Sequence, residues 1–120
     1  MAKPEKKNLL YVDDSKEWTF TAKLILEDTD YNLISFNDLP EAKQYWKENS
    51  ETLSLVICDG SINETNDGRR WANELHIAGH KAMILSGDDT LGKVPALYKG
   101  KFNSETFLAA IKKAIGRKKG

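Results

Sequence analysis

Three aspartates directly follow two apolar segments of this chain. Asp13 and Asp14 come after the segment 8–12, and Asp59 comes after the segment 53–58. Both segments are short and rich in Leu, Ile and Val, which predicts buried parallel strands. Open parallel sheets bind ligands at the carboxyl ends of their strands. Three carboxylates there would repel one another unless a cation joined them, and an oxygen-bound divalent ion such as Mg²⁺ suits that place. One carboxylate could then act as a nucleophile toward a phosphoryl group.

The same aspartates also have a structural interpretation. Asp13 and Asp14 could cap a helix, since an aspartate accepts hydrogen bonds from the unpaired N–H groups of a helix N-terminus. Asp59 precedes Gly60 and Ser61 and could be a turn residue. Because carboxylates follow two separate strands, a binding site is favoured over a helix cap and a turn.

Strands and helices are predicted to alternate along the chain. The predicted strands cover 9–12, 31–36, 53–58, 82–85 and a short segment from 96, and the predicted helices cover 15–27, a segment from 38, 68–77 and a segment from 103. This alternation implies parallel pairing in a three-layer α/β fold. Only the ten residues 86–95 separate the fourth strand from the fifth, so the fourth helix expected there is short or missing.

Composition narrows the class of protein. The 120 residues suit one domain, 1–120, with loose basic ends at about 1–7 and 116–120. The 18 basic and 18 acidic residues give a formal net charge of zero, so charge provides no reason to expect binding to nucleic acid or to a membrane. The single cysteine, Cys58, excludes an internal disulfide. Neither a signal peptide nor a membrane-spanning stretch is found, so we expect a cytoplasmic protein.

Further polar residues follow the predicted strands in a fixed order. They are Asp13-Asp14-Ser15 after the first strand, Asp59 after the third, Asp67-Gly68, Ser86-Gly87 after the fourth, and Lys99 or Lys101 after the fifth. This ordered set resembles the receiver domain of two-component response regulators, and the resemblance covers nearly the whole chain. It implies a flavodoxin-like, doubly wound sheet of five parallel strands.

The resemblance also implies a role for each residue. Asp59 would be the phosphoacceptor, Ser86 would bind a phosphoryl oxygen, and the lysine would pair with the phosphoryl group. Mg²⁺ would be held by Asp13, Asp14, Asp59 and the backbone carbonyl of Ser61. The implied partners are a sensor histidine kinase or a histidine phosphotransfer protein as donor, and a downstream protein as target. No enzymatic activity is implied beyond self-phosphorylation and autodephosphorylation.

The lysine is where the sequence departs from the family pattern. Gly100 aligns with the family lysine, so a shift of one residue selects either Lys99 or Lys101. We favour Lys99, because Leu97 then takes the inward position and Gly100 replaces the usual proline. Tyr98 would be the aromatic switch residue only if Lys101 served the site.

Other residues near the predicted site have smaller expected roles. Ser61 lies two residues after the acceptor and Asp88 two after Ser86, so both could flank the path of an attacking water and tune the lifetime of the phosphoryl group. Asp67 is predicted to cap the third helix rather than to bind metal. The three tryptophans are predicted to fill the core or grooves.

Three functional hypotheses follow from the sequence. The favoured one is a stand-alone phosphoacceptor receiver, since only 116–120 follow the last predicted helix. The second is a pseudo-receiver that acts as an unphosphorylated protein-interaction module, which the shortened fourth-helix region and the displaced lysine favour. The third and lowest-ranked is a Mg²⁺-dependent phosphohydrolase, for which Asp59-Gly60-Ser61 offers no second carboxylate two residues after the nucleophile to act as acid or base.

Overall fold

A parallel sheet with helices on both faces forms the framework of the molecule. The computed structural model describes residues 6–62, 65–87 and 94–116. The strands are β1 (Lys7–Val12), β2 (Tyr31–Phe36), β3 (Leu53–Asp59), β4 (Ala82–Ser86) and β5 (Ala96–Tyr98). The α-helices of the described ranges are α1 (Lys16–Leu26), α2 (Leu39–Asn49), α3 (Asp67–Ile77) and α4 (Ser104–Gly116), and 3-10 turns cover Ser50–Thr52 and Lys99–Lys101.

The strand order confirms the predicted fold class. Neighbouring strands are all parallel and lie in the order β2-β1-β3-β4-β5. This is the flavodoxin-like, doubly wound order, in which the chain reverses direction across the sheet between β1 and β3.

Side chains alternate between the two faces of the sheet, and each face has its own apolar core. Leu10 and Val12 of β1 pack toward α2 and α3, whereas Leu9 and Tyr11 pack toward α1 and α4. This alternation follows from the two-residue period of a strand. Each fully buried Leu or Ile in these cores contributes roughly 1.5–3 kcal/mol.

Side-chain caps start the first two helices. The Ser15 side chain accepts a hydrogen bond from the Trp18 N–H at 3.3 Å, and the Asp38 side chain accepts one from the Glu41 N–H at 2.8 Å. Such caps satisfy N–H groups that have no partner within the helix, and each contributes about 1 kcal/mol. The start of α1 immediately after Asp14 is therefore encoded locally.

The two ends of α3 are built differently from one another. The prediction that Asp67 caps this helix is wrong, because Asn66 holds the cap position, without a side-chain cap bond, and Asp67 is the first helical residue. The Asp67 charge still suits the positive end of the helix. At the other end Gly79 adopts φ +91°, and the His80 N–H donates to the Leu75 carbonyl at 2.9 Å. This Schellman ending fits the predicted stop.

The connection between β4 and β5 is only partly described. The predicted loss of the fourth helix falls on 86–95, of which 88–93 lie outside the described residues. Gly87, Val94 and Pro95 are not helical. At the ends of the chain, β1 begins at Lys7 and α4 ends at Gly116, while 1–5 and 117–120 also lie outside the described residues. None of the helices in the described ranges is long and apolar enough to cross a membrane.

Gly68 allows α3 to approach the end of β3. A Cβ atom at this position would lie 2.2 Å from the Asp59 carbonyl oxygen and 2.9 Å from Ile62 Cδ1. We expect Gly68→Ala to lower the free energy of unfolding by about 1–3 kcal/mol, because the helix must move away from the strand. Chemical denaturation would measure the change. Gly116→Ala is the matched control, since no packing neighbour among the described residues lies within 4 Å of its Cβ position, and equal effects of the two variants would contradict the expectation.

Candidate functional site

The three aspartates meet at the carboxyl edge of the sheet. Asp13 and Asp14 directly follow β1, and Asp59 is the last residue of the neighbouring β3. Carboxylate oxygens of all three lie within 4.8 Å of one another. Asp13 and Asp59 are buried, whereas Asp14 is exposed. The cluster lies where the strand order reverses, which is the usual ligand position in this class of fold.

Lys99 joins this cluster, and Lys101 does not. The Lys99 Nζ atom lies 3.2 Å from Asp59 Oδ1 and 3.7 Å from Asp13 Oδ2, and its side chain is 17% exposed. Lys101 is exposed, and its backbone carbonyl accepts a hydrogen bond from the Thr106 hydroxyl. Of the two lysines that the sequence left as alternatives, only Lys99 contacts the carboxylates.

Tyr98 immediately precedes the contacting lysine. It ends β5, opposite Ser86 in the register of β4 and β5, and is half-buried. Its predicted role as a switch residue required Lys101 to serve the site. The geometry does not meet that condition, because Lys99 contacts Asp59.

An aromatic side chain also contacts the lysine. The Lys99 ammonium lies 4.8 Å from the centroid of the Trp18 ring, a cation–π contact of about 0.5–1 kcal/mol at a partly exposed place. The rings of Trp18 and Phe102 in turn form a T-shaped contact with centroids 4.9 Å apart. Trp46 and Trp71 pack together as groove and core residues, whereas Trp18 contacts a residue of the site.

Hydrogen bonds fix the orientation of the Asp13 carboxylate. The Tyr11 hydroxyl donates to Oδ2 at 2.8 Å, and the Ser15 N–H donates to Oδ1 at 2.9 Å. Burial raises the pKa of Asp13 to about 6, and the nearby Asp59 charge adds to the rise. The two hydrogen bonds and the Lys99 ammonium oppose it. Asp13 is thus ionised in most molecules at neutral pH, and burial raises the pKa of Tyr11 so far that it remains a neutral donor.

Ser86 lies beside the acceptor at the end of β4. Asp59 pairs with Leu85 in the sheet, so the next residue of β4 is adjacent to it. Ser86 is buried, and its Oγ accepts a hydrogen bond from Arg69 Nη2 at 3.0 Å. Ser61 is exposed, and its N–H donates to Asp59 Oδ1 at 3.1 Å. Asp88, predicted to tune the lifetime of the phosphoryl group, lies outside the described residues.

Solved structures that superpose on nearly the whole chain identify the fold. No protein-family model and no curated protein matches the sequence. A response regulator receiver domain protein from Clostridium thermocellum superposes with a TM-score of 0.77 at 18% identity, covering 92% of this chain and 95% of that one. The chain has the response regulator receiver-domain fold. The chain is also similar to a response regulator from Thermotoga maritima, with a TM-score of 0.75 at 21% identity, covering 93% of this chain and 99% of that one. It is similar as well to the receiver domain of the hybrid histidine kinase CckA, with a TM-score of 0.74 at 23% identity, covering 90% of this chain and 98% of that one.

The acidic cluster of this receiver-domain fold suits a magnesium ion by its donor chemistry. Asp13, Asp14 and Asp59 offer carboxylate oxygens, the ligands that Mg²⁺ prefers. With Lys99 included, the four groups carry a net formal charge of −2 at neutral pH, which a divalent cation would neutralise. The exposed position of Asp14 leaves space for the waters that Mg²⁺ usually retains.

Three residues around the site were not predicted from the sequence. Tyr11 had a readable signal, since it lies two residues before Asp13 on a buried strand and must place its hydroxyl against a polar group. Arg69 lies in the first turn of a helix that begins at the same sheet edge, which signals proximity but not its contact with Ser86. The contact of Trp18 with the lysine had no signal in the sequence.

Proposed function

We propose that this chain is a phosphoacceptor receiver of two-component signal transduction, in which Asp59 accepts a phosphoryl group. The observation that carries the proposal is the position of Lys99 Nζ, 3.2 Å from an oxygen of the buried Asp59, beside the Asp13–Asp14 pair. A nucleophilic carboxylate flanked by an ammonium group and a metal-binding pair is arranged to receive an anionic group. The receiver-domain fold supports the same conclusion.

The proposed reaction is a displacement at phosphorus. An Asp59 oxygen forms the new O–P bond while the P–N bond of a phosphohistidine, or the P–O bond of an acyl phosphate, breaks. The leaving group keeps the electron pair, and a histidine leaving group also takes up a proton. Lys99 stabilises the negative charge of the equatorial oxygens, and Mg²⁺ held by Asp13, Asp14 and Asp59 would supply further charge neutralisation. Attack by water on the same phosphorus returns the Asp59 carboxylate and inorganic phosphate.

A phosphoryl group on Asp59 would change the balance of charges among Asp13, Asp59 and Lys99. The group itself carries roughly 1.5 to 2 negative charges and three strong acceptor oxygens, and because it replaces the charge of the Asp59 carboxylate the net gain is about one negative charge or less. Lys99, shared at present between Asp59 and Asp13, would be drawn toward these oxygens, and Ser86 could donate to another. Because Lys99 also packs on Trp18, its movement would change the surface next to α1. Such a local change can bias the binding of a partner.

The proposed phosphoryl donor is a sensor histidine kinase or a histidine phosphotransfer protein, and the output is a downstream protein. The acceptor is almost fully buried, so a donor group must be delivered from the exposed edge beside Asp14. Phe20 and Leu24 lie one turn apart on α1, the helix that starts at this edge, and are 62% and 54% exposed. Neighbouring exposed apolar side chains of this kind suit a protein contact.

Intact mass after incubation with acetyl phosphate tests the proposal. We expect the mass of one phosphoryl group to be added in Mg²⁺ and not in EDTA, and to be removed by hydroxylamine, which cleaves acyl phosphates. If neither a phosphate adduct nor beryllofluoride binding were observed, the pseudo-receiver alternative would replace the proposal. Steady release of phosphate from many phosphate esters would instead favour the lower-ranked phosphohydrolase.

The choice between the two lysines gives a separate prediction. Lys99→Met should slow adduct formation by about 100-fold, the typical effect of removing one group that stabilises charge in the transition state. The same variant should bind Mg²⁺ more tightly than the wild type, because one positive charge has left the carboxylate cluster. Phosphorylation rates and a Mg²⁺ titration would measure the two effects.

Lys101→Met is the matched control, with the same change of charge two residues away. We expect it to leave both the rate and the Mg²⁺ affinity unchanged. If Lys101→Met slowed phosphorylation as much as Lys99→Met, the site would use the other register, and the switch role of Tyr98 would return.

A further inference from the structure

Arg69 reaches the phosphoryl site from α3. Its Nη2 atom donates to Ser86 Oγ at 3.0 Å across 17 residues of sequence. A Cβ atom placed on Gly60 would lie 3.2 Å from the same Nη2, so the guanidinium passes directly over the residue that follows Asp59. The Gly60 N–H donates to the Leu85 carbonyl at 2.7 Å. Arg69 therefore occupies the notch where the ends of β3 and β4 meet.

The contact constrains the serine hydroxyl in a specific way. A serine hydroxyl has one O–H donor and two acceptor lone pairs. Arg69 donates to one lone pair of Ser86, so the hydroxyl hydrogen must point away from the guanidinium. A cation that donates to an oxygen also makes the O–H of that oxygen a stronger donor, because hydrogen bonds in a chain polarise one another. Both effects favour an anionic acceptor on the far side of Ser86.

We propose that Arg69 is a positioning residue of the phosphoryl site, which orients and polarises the Ser86 hydroxyl toward a phosphoryl group on Asp59. This inference rests on the proposed phosphoacceptor function. It adds a second cation to the site, one that acts through Ser86, whereas Lys99 contacts the acceptor itself.

Phosphorylation kinetics of four variants of the full chain test the inference. Arg69→Gln removes the cation, Arg69→Lys keeps the charge but loses the planar fork, Ser86→Ala removes the hydroxyl, and the double variant Arg69→Gln/Ser86→Ala measures their coupling. Arg70→Gln is the matched control, since Arg70 is one residue away and 72% exposed. Adduct formation from acetyl phosphate with Mg²⁺ and beryllofluoride affinity would be measured for each, with thermal unfolding as a check of folding.

We expect Arg69→Gln to slow adduct formation and weaken beryllofluoride binding about 10-fold, the typical effect of losing a partner that orients a directly binding group. Arg69→Lys should fall between Arg69→Gln and the wild type, and Arg70→Gln should match the wild type. The decisive result is the coupling: in the Ser86→Ala background, Arg69→Gln should have no further effect.

Other outcomes would overturn one proposal or both. A wild type that accepts phosphate, with Arg69→Gln equal to it, would overturn the positioning role alone. An undiminished effect of Arg69→Gln in the Ser86→Ala background would also overturn it, because Arg69 would then act independently of the hydroxyl. A wild type that neither accepts phosphate nor binds beryllofluoride would overturn the proposed function, and this inference with it.

Discussion

Asp59→Asn should abolish the Mg²⁺-dependent phosphate adduct completely. The side-chain amide keeps the shape of the carboxylate but cannot serve as the nucleophile, because its nitrogen lone pair is delocalised and its oxygen carries no full charge. The amide oxygen can still accept the Ser61 N–H, now bonded at 3.1 Å, so we expect the fold to persist. Intact mass after acetyl phosphate treatment, together with thermal unfolding, would measure the two properties.

Asp67→Asn provides the matched control for this loss. Asp67 is an exposed carboxylate at the start of α3, and one of its oxygens lies 3.8 Å from Arg70 Nη1, a long ion pair. We expect this variant to accept phosphate at the wild-type rate. A phosphate adduct that persisted in Asp59→Asn would identify another acceptor, and the proposed role of Asp59 would have to be abandoned.

Asp13→Asn should make the metal-free protein more stable and should remove most of its Mg²⁺ affinity. The pKa of Asp13 rises from 3.8 to about 6 in the folded protein, and each pKa unit corresponds to about 1.4 kcal/mol. The neutral amide should therefore raise the free energy of unfolding at pH 7 by about 2–3 kcal/mol. Its oxygen can accept the Ser15 N–H and its nitrogen can donate to the Tyr11 oxygen, so both present contacts have a substitute.

The dependence of this effect on pH follows from the direction of the pKa shift. The folded pKa exceeds the unfolded one, so the Asp13 charge opposes folding at neutral pH. This destabilisation decreases as the pH falls below about 6, and it is absent below 3.8, the pKa of the unfolded chain. The stability difference between Asp13→Asn and the wild type should shrink over the same interval. Protons should also compete with Mg²⁺ for the wild-type site below about pH 6.

Asp14→Asn separates the effect of burial from the loss of a metal ligand. Asp14 belongs to the same acidic cluster but is exposed. We expect this variant to lose Mg²⁺ affinity without the gain in metal-free stability. Denaturation curves in EDTA and Mg²⁺ titrations of both variants would show the difference. A metal-free Asp13→Asn protein that was no more stable than the wild type would contradict the expectation that the buried Asp13 charge destabilises the folded protein.

Local patterns in the sequence were sufficient to predict the framework and the acidic half of the site. Strand positions follow from short runs of Leu, Ile and Val, and the starts of α1 and α2 follow from Ser15 and Asp38, whose caps depend on residues three positions away. Asp13 and Asp59 come together because parallel strands place their carboxyl ends at one edge. That convergence needs only the strand boundaries and the parallel pairing.

The one wrong cap and the open choice between two lysines arose where the local signal was weak. Asp67 is a good capping residue, but the backbone of Asn66 takes the cap position one residue earlier. The choice between Lys99 and Lys101 depended on one residue of register after a three-residue strand, too short for apolar alternation to decide. The 3-10 turn over Lys99–Lys101, which directly follows β5, sets the direction of each side chain.

The residues of the site thus fall into two groups, those whose positions follow from the local sequence and those whose positions depend on tertiary packing. The positions of Asp13, Asp14 and Asp59 were readable in advance, because a short side chain at a strand end is placed by its own backbone. The contacts of Lys99 with Asp59 and of Arg69 with Ser86 join residues 40 and 17 positions apart. Long, flexible side chains reach such partners only where neighbouring packing guides them, as the Trp18 ring does for Lys99 and the notch beside Gly60 does for Arg69. Only the folded tertiary structure supplies those neighbours.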